Sequence, residues 1–180
     1  MDLRPLAVED EDAFVRMLRE SADAWAPWTP EVDPSLTPRG RFERELQRTR
    51  LGSRAGSHLR LVGVEPGGEI VGLFALNEIV RGVFQSAYAS WQVAADRMGA
   101  GLGTEGVRAL LDVAFAEPDS GIGLHRVQAN IMPANGPSLR IAEKVGFRRE
   151  GLAPRYLRIA GRWEDHVMHG ITVEEWPLPS

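Results

Sequence analysis

The chain has 180 residues, 43% hydrophobic and 26% charged, enough to bury one sizeable core, so a single domain over 1–180 is expected. Its formal net charge of −4 lacks the basic footprint of a nucleic-acid binder, and no apolar run approaches the roughly 18 residues of a membrane span. The absence of cysteine excludes disulfides, thiolate metal sites and a cysteine-bound acyl intermediate.

Met1-Asp2-Leu3-Arg4-Pro5 has no basic stretch leading into an apolar one, so no secretory signal is expected and the cytoplasm is the default location. Leu3, Leu6 and Val8 predict a short first strand. Residues 9–24 carry Phe14, Met17 and Leu18 at helical spacing behind leading acids, as the helix dipole prefers. Pro27 and Pro30 end that helix, and the arginine-rich residues 38–50 predict another. From 57 the period changes. Residues 58–65 and 69–80 read as a hairpin around Pro66-Gly67-Gly68, and 85–94 as a third strand. Residues 104–116 place Val107, Leu110, Leu111, Ala114 and Phe115 on one helical face. A strand over 125–131 follows. A helix over 136–145 then runs from Pro137 to a stop at Gly146. Two last strands, near 147–159 and 163–173, turn at Ala160-Gly161. The strand-helix-strand unit around 91–131 requires one parallel pair in an otherwise antiparallel sheet, so the fold class is mixed α/β (α+β). Trp91, Phe115 and Phe147 are assigned to the core.

Between the third strand and the helix at 104 lies Met98-Gly99-Ala100-Gly101-Leu102-Gly103-Thr104. Glycines here allow positive φ and let a ligand approach the main chain, and helix-start amides attract phosphate. A plain tight turn reads equally well from the residues alone. The spacing matches neither a Walker loop nor a dinucleotide-binding fingerprint, which leaves some other phosphate-bearing ligand.

A second segment, Pro133-Ala134-Asn135-Gly136-Pro137-Ser138 with Glu143-Lys144-Val145-Gly146-Phe147, resembles the asparagine-bearing helix and its exit in the GNAT acyltransferase superfamily. That family's Gln/Arg-x-x-Gly-x-Gly/Ala turn holds the pyrophosphate of coenzyme A. Its positions fall here on Met98, Gly101 and Gly103, the first departing from the pattern. Trp28-Thr29-Pro30, Val80-Arg81-Gly82, Asn135-x-x-Ser138, Glu150-Gly151 and Gly161-Arg162-Trp163-Glu164-Asp165-His166 resemble the RimJ/RimL group, which acetylates alanine termini of ribosomal proteins. The likeness runs from about residue 25 to the end.

The resemblance implies a GNAT fold, a mostly antiparallel sheet flanked by helices with splayed strands that hold acetyl-CoA. It also implies direct attack of an amine on the thioester. The strand carrying Gln92 and Val93 would splay beyond Val93 and leave both amides free for the pantetheine arm, with an amide near Val93 as oxyanion donor. Gly99, Ala100, Gly101, Gly103 and Thr104 with Met98 would hold the phosphates, and Arg97, Arg140 and Lys144 lie nearby. Asn135 either bonds the pantetheine or caps the helix at 136. Ser138 would protonate the departing thiolate, since the place where many relatives carry a tyrosine is Ala142. Glu78 is the first candidate base, then Asp165 and His166, although Asp165 and His166 also suit a structural role in the last hairpin. An α-amine, with a pKa of about 8, needs only a weak base. Trp28 and Asp165 are candidate acceptor contacts, Trp25 a plug over the core.

The acceptor is a protein N-terminus or a small amine such as an aminoglycoside or polyamine. A non-catalytic acyl-CoA-binding module is the remaining alternative. No metal, nucleic acid or membrane partner is expected, and pairing of two copies through edge strands or the arginine-rich helix is open.

Overall fold

Seven strands join into one sheet in the computed structural model, which describes residues 1–177; the last three residues of the expected domain lie outside it. In chain order the strands are β1 (Asp2–Arg4), β2 (Leu59–Val64), β3 (Ile70–Val80), β4 (Ser86–Val93), β5 (Arg126–Ile131), β6 (Arg148–Ile159) and β7 (Arg162–Thr172). The helices are α1 (Glu11–Trp25), α2 (Pro38–Ala55), α3 (Leu102–Phe115) and α4 (Gly136–Val145). The sheet order is β1-β2-β3-β4-β5-β7-β6, every pair antiparallel except β4 with β5.

Three boundaries differ from expectation. The first strand stops at Arg4, before Pro5, and Val8 opens a short 3₁₀ turn instead. α2 runs on to Ala55, where Gly56 takes the left-handed stop at φ +63°. α3 begins at Leu102, two residues early, because Gly101 adopts the N-cap. That places the amides of Leu102 and Gly103 at the helix mouth.

Each sheet face buries its own cluster. Val107, Leu110, Leu111 and Phe115 of α3 pack with Phe74, Leu76, Val127, Phe147 and Ile171. Phe14, Met17, Leu18 and Trp25 of α1 pack with Phe42 of α2 and with Val62 and Ile70. α3 can lie this close to β3 only because residue 106 is glycine; a Cβ there overlaps the Phe74 ring. Phe115 and Phe147 are buried as expected, while Trp91 is half-buried against Phe147 at the edge of its cluster. Among the described residues no helix is long and apolar enough to cross a membrane.

A buried carboxylate ties down the entry to α1. Asp10, 6% exposed, accepts from both terminal nitrogens of Arg4 at 2.7 Å and from the Ala7 amide at 2.8 Å. The Arg4 hydrogen bonds hold its carboxyl below the ordinary carboxylate range. A depressed carboxyl contributes stability that is complete above its unfolded-chain pKa, about 4, and is lost as pH falls through the folded value. Asp10→Asn is therefore expected to cost about 1–3 kcal/mol at neutral pH in urea unfolding. The gap from wild type should narrow in acid; a gap equally wide there assigns the loss to packing instead.

Candidate active site

β4 and β5 pair only over Ser86–Tyr88 and Arg126–Gln128. Beyond Tyr88 they part, five residues before the expected point at Val93. The far end of β4 is held from the other side. The Trp25 indole N–H donates to the Val93 carbonyl at 2.8 Å, and the Ala95 amide donates to the fully buried Ser21 hydroxyl at 3.0 Å. Both anchors sit on α1, so β4 follows β3 and α1 while β5 follows β7.

The gap opens a cleft of about 610 Å³. Its floor is the free edge of β4, and strand alternation decides which amides lie there. Ala94 donates to Val71 of β3 and the Gln92 carbonyl also faces β3, at Gly72. The main chain of Gln92 is thus turned away from the gap, and the open-edge amides are those of Val93 and Trp91. Two consecutive residues cannot both present their amides to one edge, which corrects the expectation for Gln92; its side chain still lines the cleft. The Trp91 indole nitrogen is buried here without a hydrogen-bond partner among the described residues.

One end of the cleft is the glycine turn. Gly99 and Gly101 have φ of +82° and +88°, and a Cβ on either would meet no protein atom within 4 Å. Among the described residues the amides of Gly99, Gly101, Leu102 and Gly103 have no hydrogen-bond partner. Those of Ala100 and Thr104 donate inward, to the Arg97 and Gly101 carbonyls, and Ala100 does not line the cleft. Thr104 lines it with Met98, which is exposed. A glycine turn facing open space, with unused amides at the start of a 14-residue helix, suits a pyrophosphate. Arg97 lies on the rim but is held by Glu65 and Asp96 at 3.3 and 2.6 Å. Across the cleft, Arg140 and Lys144 form no ion pair among the described residues.

The opposite wall is the start of α4. Asn135 caps it, its side-chain oxygen accepting from the Ser138 amide at 3.2 Å. Its NH₂ group has no partner among the described residues, so capping leaves two donors toward the cleft. The Ser138 hydroxyl is likewise uncommitted, and both residues line the cleft.

The last hairpin adds residues that periodicity did not single out. Arg155 sits at φ +49° on a bulge, and its amide donates to Asp165 at 2.7 Å. Asp165 thus braces the bulge, the structural role weighed for it. The bulge turns Tyr156 onto Asn130, whose NH₂ donates to the phenol oxygen at 3.1 Å. The Tyr156 ring meets buried His166 edge-on, 5.7 Å between centroids, and Asn130 and His166 line the cleft. Burial and the neighbouring Tyr88 push the Tyr156 phenol up, so it stays protonated. Pro154 inside a predicted strand was the available signal, because proline in a strand marks an edge or a bulge. Glu78 lies on the matching bulge of β3 at φ +50°, exposed and outside the cleft lining; its charge reaches Tyr156. Among the described residues no three His, Asp or Glu side chains gather as a metal site.

A second cavity of about 820 Å³ opens between α1, α2 and the sheet. It meets the cleft at Trp25, Trp28, Thr29 and Ser90–Gln92, which line both. The hairpin tip closes over it, Ala160 donating to the Thr29 carbonyl at 3.1 Å.

A strand edge left open beside a phosphate cradle is the GNAT arrangement, and the family model for the acetyltransferase (GNAT) domain matches residues 1–148. The chain belongs to this acetyltransferase family, and it is an N-acetyltransferase. Its relatives place it in the RimJ/RimL-type group. It is 32% identical to the probable N-acetyltransferase YjcK of Bacillus subtilis over 94% of this chain and 92% of that one. It is 30% identical to the ribosomal protein uS5-alanine N-acetyltransferase of Escherichia coli, over 94% and 87%. The structure of Mycobacterium smegmatis RimJ in complex with CoA-disulfide matches it with a TM-score of 0.86 and 33% identity, covering 97% of this chain and 83% of that one.

Proposed function

We propose that the protein, acting in the cytoplasm as one domain over 1–180, transfers acetyl from acetyl-CoA to the α-amine of a protein N-terminus, a ribosomal protein being the leading acceptor. The observation that carries this reading is the shared wall. The open edge of β4 faces the cleft and also borders a cavity of about 820 Å³, room for the first residues of a peptide.

Acetyl-CoA supplies a thioester carbonyl. The amides of Gly99, Gly101, Leu102 and Gly103 receive the pyrophosphate, helped by Arg140 and Lys144. The Val93 and Trp91 amides take the pantetheine as an added strand, and the Val93 amide stabilises the developing oxyanion. The Asn135 NH₂ orients the same arm. Ser138 gives its hydroxyl proton to the departing thiolate. On the acceptor side Trp28 walls the peptide, and roughly a tenth of an α-amine is already neutral at pH 7. The amine's remaining proton passes into solvent through the open cleft, with Glu78 as the candidate carboxylate that accepts it, and solvent restores the Ser138 hydroxyl proton, a weak demand that needs only a weak base.

The test is thiol release from acetyl-CoA with N-terminal peptides beside small amines, the acetylated position located by mass spectrometry. Turnover on peptides at the α-amine is the expected result. Turnover confined to small amines overturns the acceptor, and CoA binding without turnover on any acceptor overturns the assignment of Ser138 and Glu78.

A further inference from the structure

The second cavity has a charge of its own. Arg41, Arg44 and Arg48 of α2, spaced three and four residues apart on one helical face, all line it, as does Arg60 of β2. Two carboxylates share the lining, Glu31 and Glu45. Glu45 is already taken by Arg60, at 2.5 and 3.2 Å. Glu31 lies against the main chain of Gly161 at the hairpin tip, 2.7 Å from where a Cβ would stand. Glu31 alone stays uncommitted, against Arg41, Arg44 and Arg48, which form no ion pair among the described residues.

The outward face of the same helix behaves differently. Arg39 reaches Glu43 and Glu11, each at 3.3 Å. The cavity lining thus carries four arginines against two carboxylates, one of which is held by Arg60. Arg41 is half-buried, which lowers the pKa of its guanidinium, while Arg44 and Arg48 are exposed in the open cavity. Arginine stays charged regardless, so the deficit is open to a ligand's carboxylates.

We propose that this cavity selects acceptors that carry acidic side chains within the first few residues after the reacting amine. The inference rests on the terminal-amine reading and sharpens it. An amine at the open edge of β4 leaves its following residues along Trp28 and into the arginine face, where carboxylates accept bidentate hydrogen bonds. A polyamine or an aminoglycoside meets the same cations as repulsion.

The experiment uses two peptides with one N-terminal residue, one continuing with Glu and Asp, the other with Gln and Asn at those places, and spermidine as a third acceptor. kcat/KM for the acidic peptide is expected to exceed that of its amide twin roughly tenfold at low salt, and raised salt should shrink the ratio. The double variant Arg41→Gln, Arg48→Gln should bring the ratio toward unity. Equal kcat/KM for both peptides in the wild type overturns acidic selection while leaving terminal acetylation in place, whatever other polyanion the arginines then serve. Turnover on spermidine with neither peptide modified overturns the terminal-amine reading, and this inference with it.

Discussion

Replacing Gly101 with valine is expected to weaken acetyl-CoA binding by about a hundredfold, measured as the dissociation constant by calorimetry. Gly101 stands at φ +88° and ψ −11°, where a β-branched residue is a genuine outlier. Holding it there costs about 1–2 kcal/mol. Relaxing the turn instead carries the amides of Leu102 and Gly103 off the phosphate, at about 1.5–3 kcal/mol for each charge-assisted hydrogen bond. Partial loss at two amides gives the hundredfold. A Cβ at this position meets no atom of the described residues beyond its chain neighbours within 4 Å, so the fold should bear mainly the local strain and the Tm should fall by several degrees at most. A valine variant that binds acetyl-CoA normally means that the phosphates lie elsewhere.

Ser138→Ala is expected to lower kcat on the order of a hundredfold with the donor dissociation constant within about twofold of wild type. The helix start survives the change, because Asn135 caps through the main-chain amide of residue 138 and makes no use of its hydroxyl. Alanine is also the better helix former. Single-turnover mixing separates chemistry from product release, so the loss can be assigned to the transfer step. An unaltered single-turnover rate removes Ser138 from the reaction and leaves a water to protonate the thiolate.

The order of elements was legible because glycines and prolines punctuate it and because α1 and α3 carry clear apolar stripes. The glycine turn and the cap at Asn135 were legible for the same local reason: each is complete within about seven residues. What escaped depends on partners far along the chain. The parting of β4 from β5 at Tyr88 is enforced from α1 by Trp25, 68 residues from the carbonyl it binds. Gln92 looked as available as Val93 until the Ala94–Val71 bond fixed which way the strand faces. Tyr156 reaches Asn130 only through a bulge that Asp165 braces from the neighbouring strand. Residues 38–50 read only as an arginine-rich helix, and the excess of arginine in the cavity emerges only once β2 claims Glu45 for Arg60.

The tether from α1 to β4 ends at Trp25, and this divides the region that follows it. Trp28 and Thr29 border both cavities, whereas Pro30, Glu31, Val32 and Leu36 border the second alone. Residues 21 to 29 are therefore committed to the donor strand, while the loop after Thr29 and the cavity-facing positions of α2, though not the core-facing Phe42, are freer to drift. A lineage can exchange the loop and the inner face of α2 for another acceptor without rebuilding the thioester site. The same boundary guides grafting, with Ser21, Trp25, the core-facing Phe42 and the Glu45 that holds Arg60 retained, and the 30–36 loop and the cavity-facing arginines exchanged.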